Sequence, residues 1–157
     1  MLTPGSPAPA FSLPSDEGTT VALKDLKGRK VVLYFYPKDD TTGCTTEACE
    51  FRDSWAAVRR AGAVVLGVSP DGIASHQKFK RKYELPFTLL ADEDHAVAEA
   101  YGVWGEKSMY GRKYHGILRT TFILDERGRV ARVFTKVKPQ GHAAEVLAAL
   151  EDQHDVP

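Results

Sequence analysis

The chain has 157 residues, 21 Lys+Arg against 21 Asp+Glu, 43% hydrophobic and 27% charged residues. That length suits one domain, 1–157, with its own core and is short for two. The even charge balance gives no electrostatic reason to expect nucleic acid or an anionic membrane as a partner, and no apolar run approaches the roughly 20 residues that span a bilayer.

The opening Met1-Leu2-Thr3-Pro4-Gly5 has neither a basic segment nor an apolar one, so no secretory signal is expected. Two cysteines, Cys44 and Cys49, cannot build a disulfide framework, and a reducing cytoplasm is the default setting. Phe11 to Leu13 and Thr20 to Ala22 read as a short N-terminal hairpin around Asp16-Glu17-Gly18. Val31 to Tyr36 is a strand apolar enough to be buried on both faces, ended by Pro37. A helix from about Gly43 to Arg60 follows, with Gly62 as its C-cap.

Ala63 to Ser69 is a second buried strand, Ile73 to Tyr83 a helix, Thr88 to Ala91 a strand and Ala96 to Tyr101 a short helix. Gly102 to Ile117 shows no clear period and reads as a long loop, carrying Trp104, Met109 and Tyr110. Thr120 to Asp125 and Arg129 to Thr135 form a hairpin, and Ala143 to Leu150 is the closing helix, with a frayed tail at 151–157. Strands alternating with helices predict an α/β architecture: right-handed βαβ units, helices on both faces, and a sheet made mixed by the late hairpin. Sites in such sheets lie beyond the carboxyl ends of strands, which is where Cys44 falls.

Cys44 follows a Thr-Thr-Gly turn at the start of a helix, at the positive end of the helix dipole and beside free backbone N–H groups that favour a thiolate. Positions 44, 48, 51, 55 and 58 (Cys, Ala, Phe, Trp, Val) make one apolar stripe, so Cys44 opens the core-facing side. Cys49 is off that stripe and nearer the surface. In an unbroken helix, residues five apart have Cα atoms about 8.5–9 Å from one another, beyond the roughly 7 Å limit for a disulfide. Either Cys49 is a bystander, or the pair bridges and the first turns of the helix unwind.

A CxxC redox pair is absent, and the histidines at 76, 95, 115, 142 and 154 form no zinc-ligand pattern. No histidine can be assigned as the base that papain-like catalysis needs. An electropositive thiolate without a base suits the O–O bond of a peroxide, where sulfur becomes a sulfenic acid and a nearby thiol condenses with it.

The spacing Pro37-x-x-x-Thr41-x-x-Cys44 resembles the active-site motif of the peroxiredoxins, and Cys49 resembles the resolving cysteine of their Q subgroup, the bacterioferritin comigratory proteins. The resemblance runs from about Pro4 to Leu150 and includes Glu47, the segment Gly102 to Lys107, and Arg119 before the Thr-Thr-Phe strand. Thr42 stands where relatives often carry proline. The family implies a thioredoxin-like fold and a set of roles. Cys44 would be the peroxidatic nucleophile, with Thr41 and the Cys44 N–H holding the peroxide. Arg119 would donate to thiolate and peroxide, Pro37 would shield the pocket, and Glu47 would orient the arginine. Cys49 would resolve the sulfenate as an intramolecular disulfide, reduced by thioredoxin or a similar dithiol. Substrates would be hydrogen peroxide and organic hydroperoxides, with no metal or cofactor, in a monomeric cytoplasmic protein. Two alternatives stand beside this: a one-cysteine peroxidase served by an external thiol, and a redox-sensing or holdase module with little turnover.

Overall fold

The computed structural model describes residues 2–154. Strands β1 (Ser12–Pro14) and β2 (Thr20–Ala22) pair antiparallel, with Leu13 opposite Val21, as the turn-flanked apolar residues predict. The central sheet is built from β3 (Lys30–Phe35), β4 (Ala63–Ser69), β5 (Thr88–Ala91), β8 (Thr120–Leu124) and β9 (Val130–Phe134), in the order β5-β4-β3-β8-β9. β3, β4 and β5 run parallel, and β8 and β9 join antiparallel, so the sheet is mixed.

The continuous apolar run of β3 has a direct cause: successive side chains point to opposite faces, and both faces are covered. Val32, Tyr34 and Tyr36 join Phe51, Phe79, Phe87 and Ile123 in one core. Val31, Leu33 and Phe35 join Leu13, Tyr101 and Phe122 in the other. The first core is roofed by α1 (Thr42–Asp53), α2 (Trp55–Arg60), α3 (Ile73–Tyr83) and α5 (His142–His154), and α4 (Ala96–Ala100) lies on the second.

Three expectations are corrected. The single helix expected over 43–60 is two, separated at Ser54 (φ −97°, ψ 3°). Asp53 and Ser54 are residues whose side chains compete for backbone hydrogen bonds, which weakens a helix interior. The apolar stripe nonetheless continues across the break, with Phe51 and Val58 buried and Trp55 packed on the core. The segment expected to be a long loop is a β-hairpin, β6 (Trp104–Met109) and β7 (Arg112–Ile117), closed by Tyr110-Gly111, both with positive φ (53° and 78°). Its strands are largely solvent-exposed, so no apolar alternation marked them; the backbone ladder alone defines them. Finally, α5 runs to His154 rather than ending at Leu150, and the rest of the tail, 155–157, lies outside the described residues. No helix among the described residues is long and apolar enough to cross a membrane.

Candidate active site

The end of β3, the turn 37–41 and the first turn of α1 place Cys44 at the carboxyl edge of the sheet, 2% exposed. Thr41 is the N-cap, with extended backbone (φ −97°, ψ 158°), and its carbonyl accepts from the Thr45 N–H at 2.8 Å. Its hydroxyl does not cap the helix; it donates to the Lys38 carbonyl at 2.8 Å. The N–H groups of the first turn have no carbonyl partner within the helix, and they give the helix start that carries Cys44 a positive partial charge.

Arg119 reaches this turn from between β7 and β8. Its Nη2 donates to Cys44 Sγ at 3.2 Å and its Nη1 to Glu47 Oε1 at 2.6 Å. The contact puts a guanidinium N–H, a charged donor, directly on the sulfur. Burial works against the charge of Arg119, but Glu47 and Cys44 outweigh it and hold the guanidinium protonated. A second cation, Lys107 on β6, donates to the Ile117 carbonyl at 2.9 Å. Burial and the Arg119 charge lower its pKa, while Cys44 draws it up, so this ammonium belongs to the field around the sulfur.

Glu47 is 1% exposed, and its Oε2 has no hydrogen-bond partner. Burial raises its carboxyl from 4.5 to about 7, although Arg119 opposes the rise. An unfolded chain releases this proton near 4.5 and the folded protein holds it to about 7, so stability falls as pH rises through that window and levels off above it. The expected size is about 3 kcal/mol, at 1.36 kcal/mol per unit. Urea unfolding at pH 5 and pH 8 measures it, and Glu47→Gln should flatten the difference by that amount; an unchanged slope would refute the assignment.

Of the residues singled out in the sequence, Cys44, Arg119 and Glu47 are bonded together. Thr41 is exposed in the turn above, and Pro37 is half-buried at the end of β3. Cys49 is not brought to Cys44: both thiols are free and both lie in the unbroken helix α1. Sequence reasoning missed several neighbours. Gly43 lets Pro139 and Arg119 close over the turn, since a Cβ there would sit 3.2 Å from Pro139 Cγ and 3.4 Å from Arg119 Nη2. Asp39 is buried and paired with His76 at 2.7 Å. His76, Phe79 and Tyr83 share one helical face, and that spacing was the available sign that His76 points inward.

The model of the AhpC/TSA family matches residues 4–133. The chain is 58% identical to a Bcp-type protein of Coxiella burnetii over 146 residues, 93% of this chain and 97% of that one. It is 50% identical to peroxiredoxin Bcp of Bacillus subtilis over 151 residues, 96% of each. Among solved structures, peroxiredoxin Q of Xanthomonas campestris superposes with a TM-score of 0.86 at 44% identity over 90% of both chains. The thioredoxin-like architecture expected from the motif is thus the one observed. The chain belongs to the AhpC/TSA family and, within it, to the Bcp/PrxQ peroxiredoxins.

Proposed function

We propose that this protein reduces hydrogen peroxide and organic hydroperoxides through Cys44, with Cys49 as the resolving thiol. The observation that carries the reading is the Arg119 fork, one nitrogen on the Cys44 sulfur and the other on a buried carboxylate. A related structure, the bacterioferritin comigratory protein of Xanthomonas campestris, is described for alkyl peroxide reduction.

In the first step the Cys44 thiolate attacks one peroxide oxygen. The O–O bond breaks, its electron pair leaves on the distal oxygen, and that oxygen takes a proton and departs as water or alcohol. Cys44 becomes a sulfenic acid. Arg119 and the first-turn N–H groups supply donors to the leaving oxygen, and Thr41 holds the peroxide. The Cys49 thiolate then attacks the sulfenic sulfur, water leaves, and a disulfide forms within one chain. A thioredoxin-like dithiol returns two electrons to it. Pro37 limits water at the pocket mouth, and the free-thiol chemistry fits a monomer working in a reducing cytoplasm.

Mass spectrometry after one equivalent of hydrogen peroxide tests this. Wild type should lose two hydrogens, with a Cys44–Cys49 crosslink inside one chain. Cys49→Ser should instead gain one oxygen on Cys44. Oxygen found elsewhere, or a crosslink between chains, would overturn the assignment.

A further inference from the structure

The turn that carries Thr41 is held by a buried ionic cluster that the chemistry above does not use. Asp39 is the centre of it. Its Oδ1 accepts from the Tyr36 hydroxyl at 2.6 Å, and its Oδ2 accepts from the Ser75 hydroxyl at 2.8 Å and from His76 Nδ1 at 2.7 Å. The other ring nitrogen of His76, Nε2, donates to the Leu90 carbonyl at 2.9 Å. Both ring nitrogens face oxygen atoms, Nδ1 the Asp39 carboxylate and Nε2 a carbonyl, and an imidazolium supplies a donor to each. Burial works against that charge, but the hydrogen bond and charge of Asp39 outweigh it and raise the pKa. The backbone N–H of Asp39 donates to Asp71 Oδ2 at 2.8 Å, and the Ser69 hydroxyl steadies the same oxygen at 2.6 Å.

The donor atoms of Asp39, Asp71 and His76 all lie within 4.8 Å of one another. Each is engaged by the hydrogen bonds just described, so the cluster reads as a clamp rather than a cation cage. The adjoining residue is clamped too. Asp40 has positive φ (57°), and its carboxylate accepts from Lys82 and from the Tyr83 hydroxyl, each at 2.7 Å.

Stability alone gives little reason for this arrangement. The His76 and Asp39 side chains are 0% and 3% exposed, and apolar residues in place of a buried ion pair often fold as well or better. What the pair does uniquely is fix the backbone between the end of β3 and the start of α1. In that turn the Lys38 carbonyl takes the one proton of the Thr41 hydroxyl, at 2.8 Å. With its donor committed, Thr41 Oγ1 can only accept from a ligand, and a peroxide O–H is such a donor.

We propose that Asp39 and His76 are positioning residues for peroxide reduction: their ion pair holds the 37–41 turn so that Lys38 orients the Thr41 hydroxyl as an acceptor for the peroxide. This rests on Thr41 holding the peroxide, as proposed above. Because the clamp acts on the peroxide and not on the sulfur, it leaves the intrinsic reactivity of Cys44 alone.

The test compares two electrophiles on the full chain by stopped flow: hydrogen peroxide, which needs Thr41, and iodoacetamide, which does not. Asp39→Asn should slow oxidation of Cys44 by about 10- to 100-fold, the size expected when a remote change misplaces a reacting group. Alkylation of Cys44 should change less than about twofold, since the donors on the sulfur are untouched. Thr41→Val should slow peroxide similarly, and the double variant should be no slower than Thr41→Val, because one residue works through the other. Ser75→Ala, which removes a single donor to Asp39 and leaves the ion pair, supplies a milder variant should Asp39→Asn fail to fold, with a few-fold loss for peroxide alone. Parallel losses in both reactions, additive effects in the double variant, or normal peroxide rates in Asp39→Asn or its Ser75→Ala substitute would each overturn the inference. If Thr41→Val itself reacts normally, the peroxide-holding role of Thr41 fails, and the inference fails with it.

Discussion

Arg119→Ala should slow oxidation of Cys44 by hydrogen peroxide by about 10²–10³-fold, the usual size for removing a donor aimed at developing negative charge. The change should far exceed anything attributable to the thiolate population. An ordinary thiol with a pKa near 8.5 is about 3% ionised at pH 7. Lowering such a pKa to about 6 raises the thiolate roughly 30-fold. Nucleophilicity then falls with a slope of about 0.4–0.5, which removes roughly tenfold and leaves a net gain near threefold. Ionisation is too small an effect to account for fast peroxide reduction. The larger share comes from placing a fixed cation where charge appears on the leaving oxygen, and Arg119 is already in place, 3.2 Å from the sulfur and braced at 2.6 Å by Glu47. Stopped-flow rates for wild type and variant, each divided by its independently titrated thiolate fraction, decide the matter. A ratio that collapses to one would show that Arg119 acts on ionisation alone.

Cys49→Ser should leave the first oxidation of Cys44 intact and cut thioredoxin-driven turnover about 100-fold. A tethered thiol acts at an effective concentration of millimolar order, whereas an external reductant in an assay is present at about 10 μM. The structure adds a condition. Both cysteines sit in α1, which is unbroken from Thr42 to Asp53, so the bridge cannot close until the segment between them unwinds. Unwinding withdraws Glu47 from its buried place beside Arg119. It also strains the contact from Glu50 Oε1 to the Gly141 N–H, 2.8 Å, at the start of α5. Far-ultraviolet circular dichroism should therefore lose helix signal when wild type is oxidised, and Cys49→Ser should not. Full NADPH-coupled turnover in Cys49→Ser would show that the one-cysteine route operates.

The sheet was legible because each of its strands carries its own evidence. β3 and β4 are runs of apolar residues closed by Pro37 and Ser69-Pro70, and burial on both faces is what such runs require. The hairpin β6–β7 was not legible, since its ladder forms in polar sequence and leaves no periodic trace. The break at Ser54 was hidden by an apolar stripe that runs straight across it. Cys44 could be placed at the mouth of a helix from local pattern, and Arg119 could be linked to it only by family resemblance, since 75 residues separate them. Asp39 and His76, 37 residues apart, carried no joint signal at all.

Local chemistry therefore decided the apolar strands and the amphipathic helices, the helix-start position of the Cys44 sulfur, and the impossibility of bridging Cys44 to Cys49 without a change of shape. These depend on neighbours within a few residues, whose geometry the backbone dictates. Tertiary folding alone decided which cations reach toward that sulfur, Arg119 from the loop before β8 and Lys107 from a solvent-facing hairpin, and it alone joined Asp39 to His76 in the clamp on the turn. Electrostatic interactions act across space rather than along the chain, so they exist only once the sheet has brought its separate edges together.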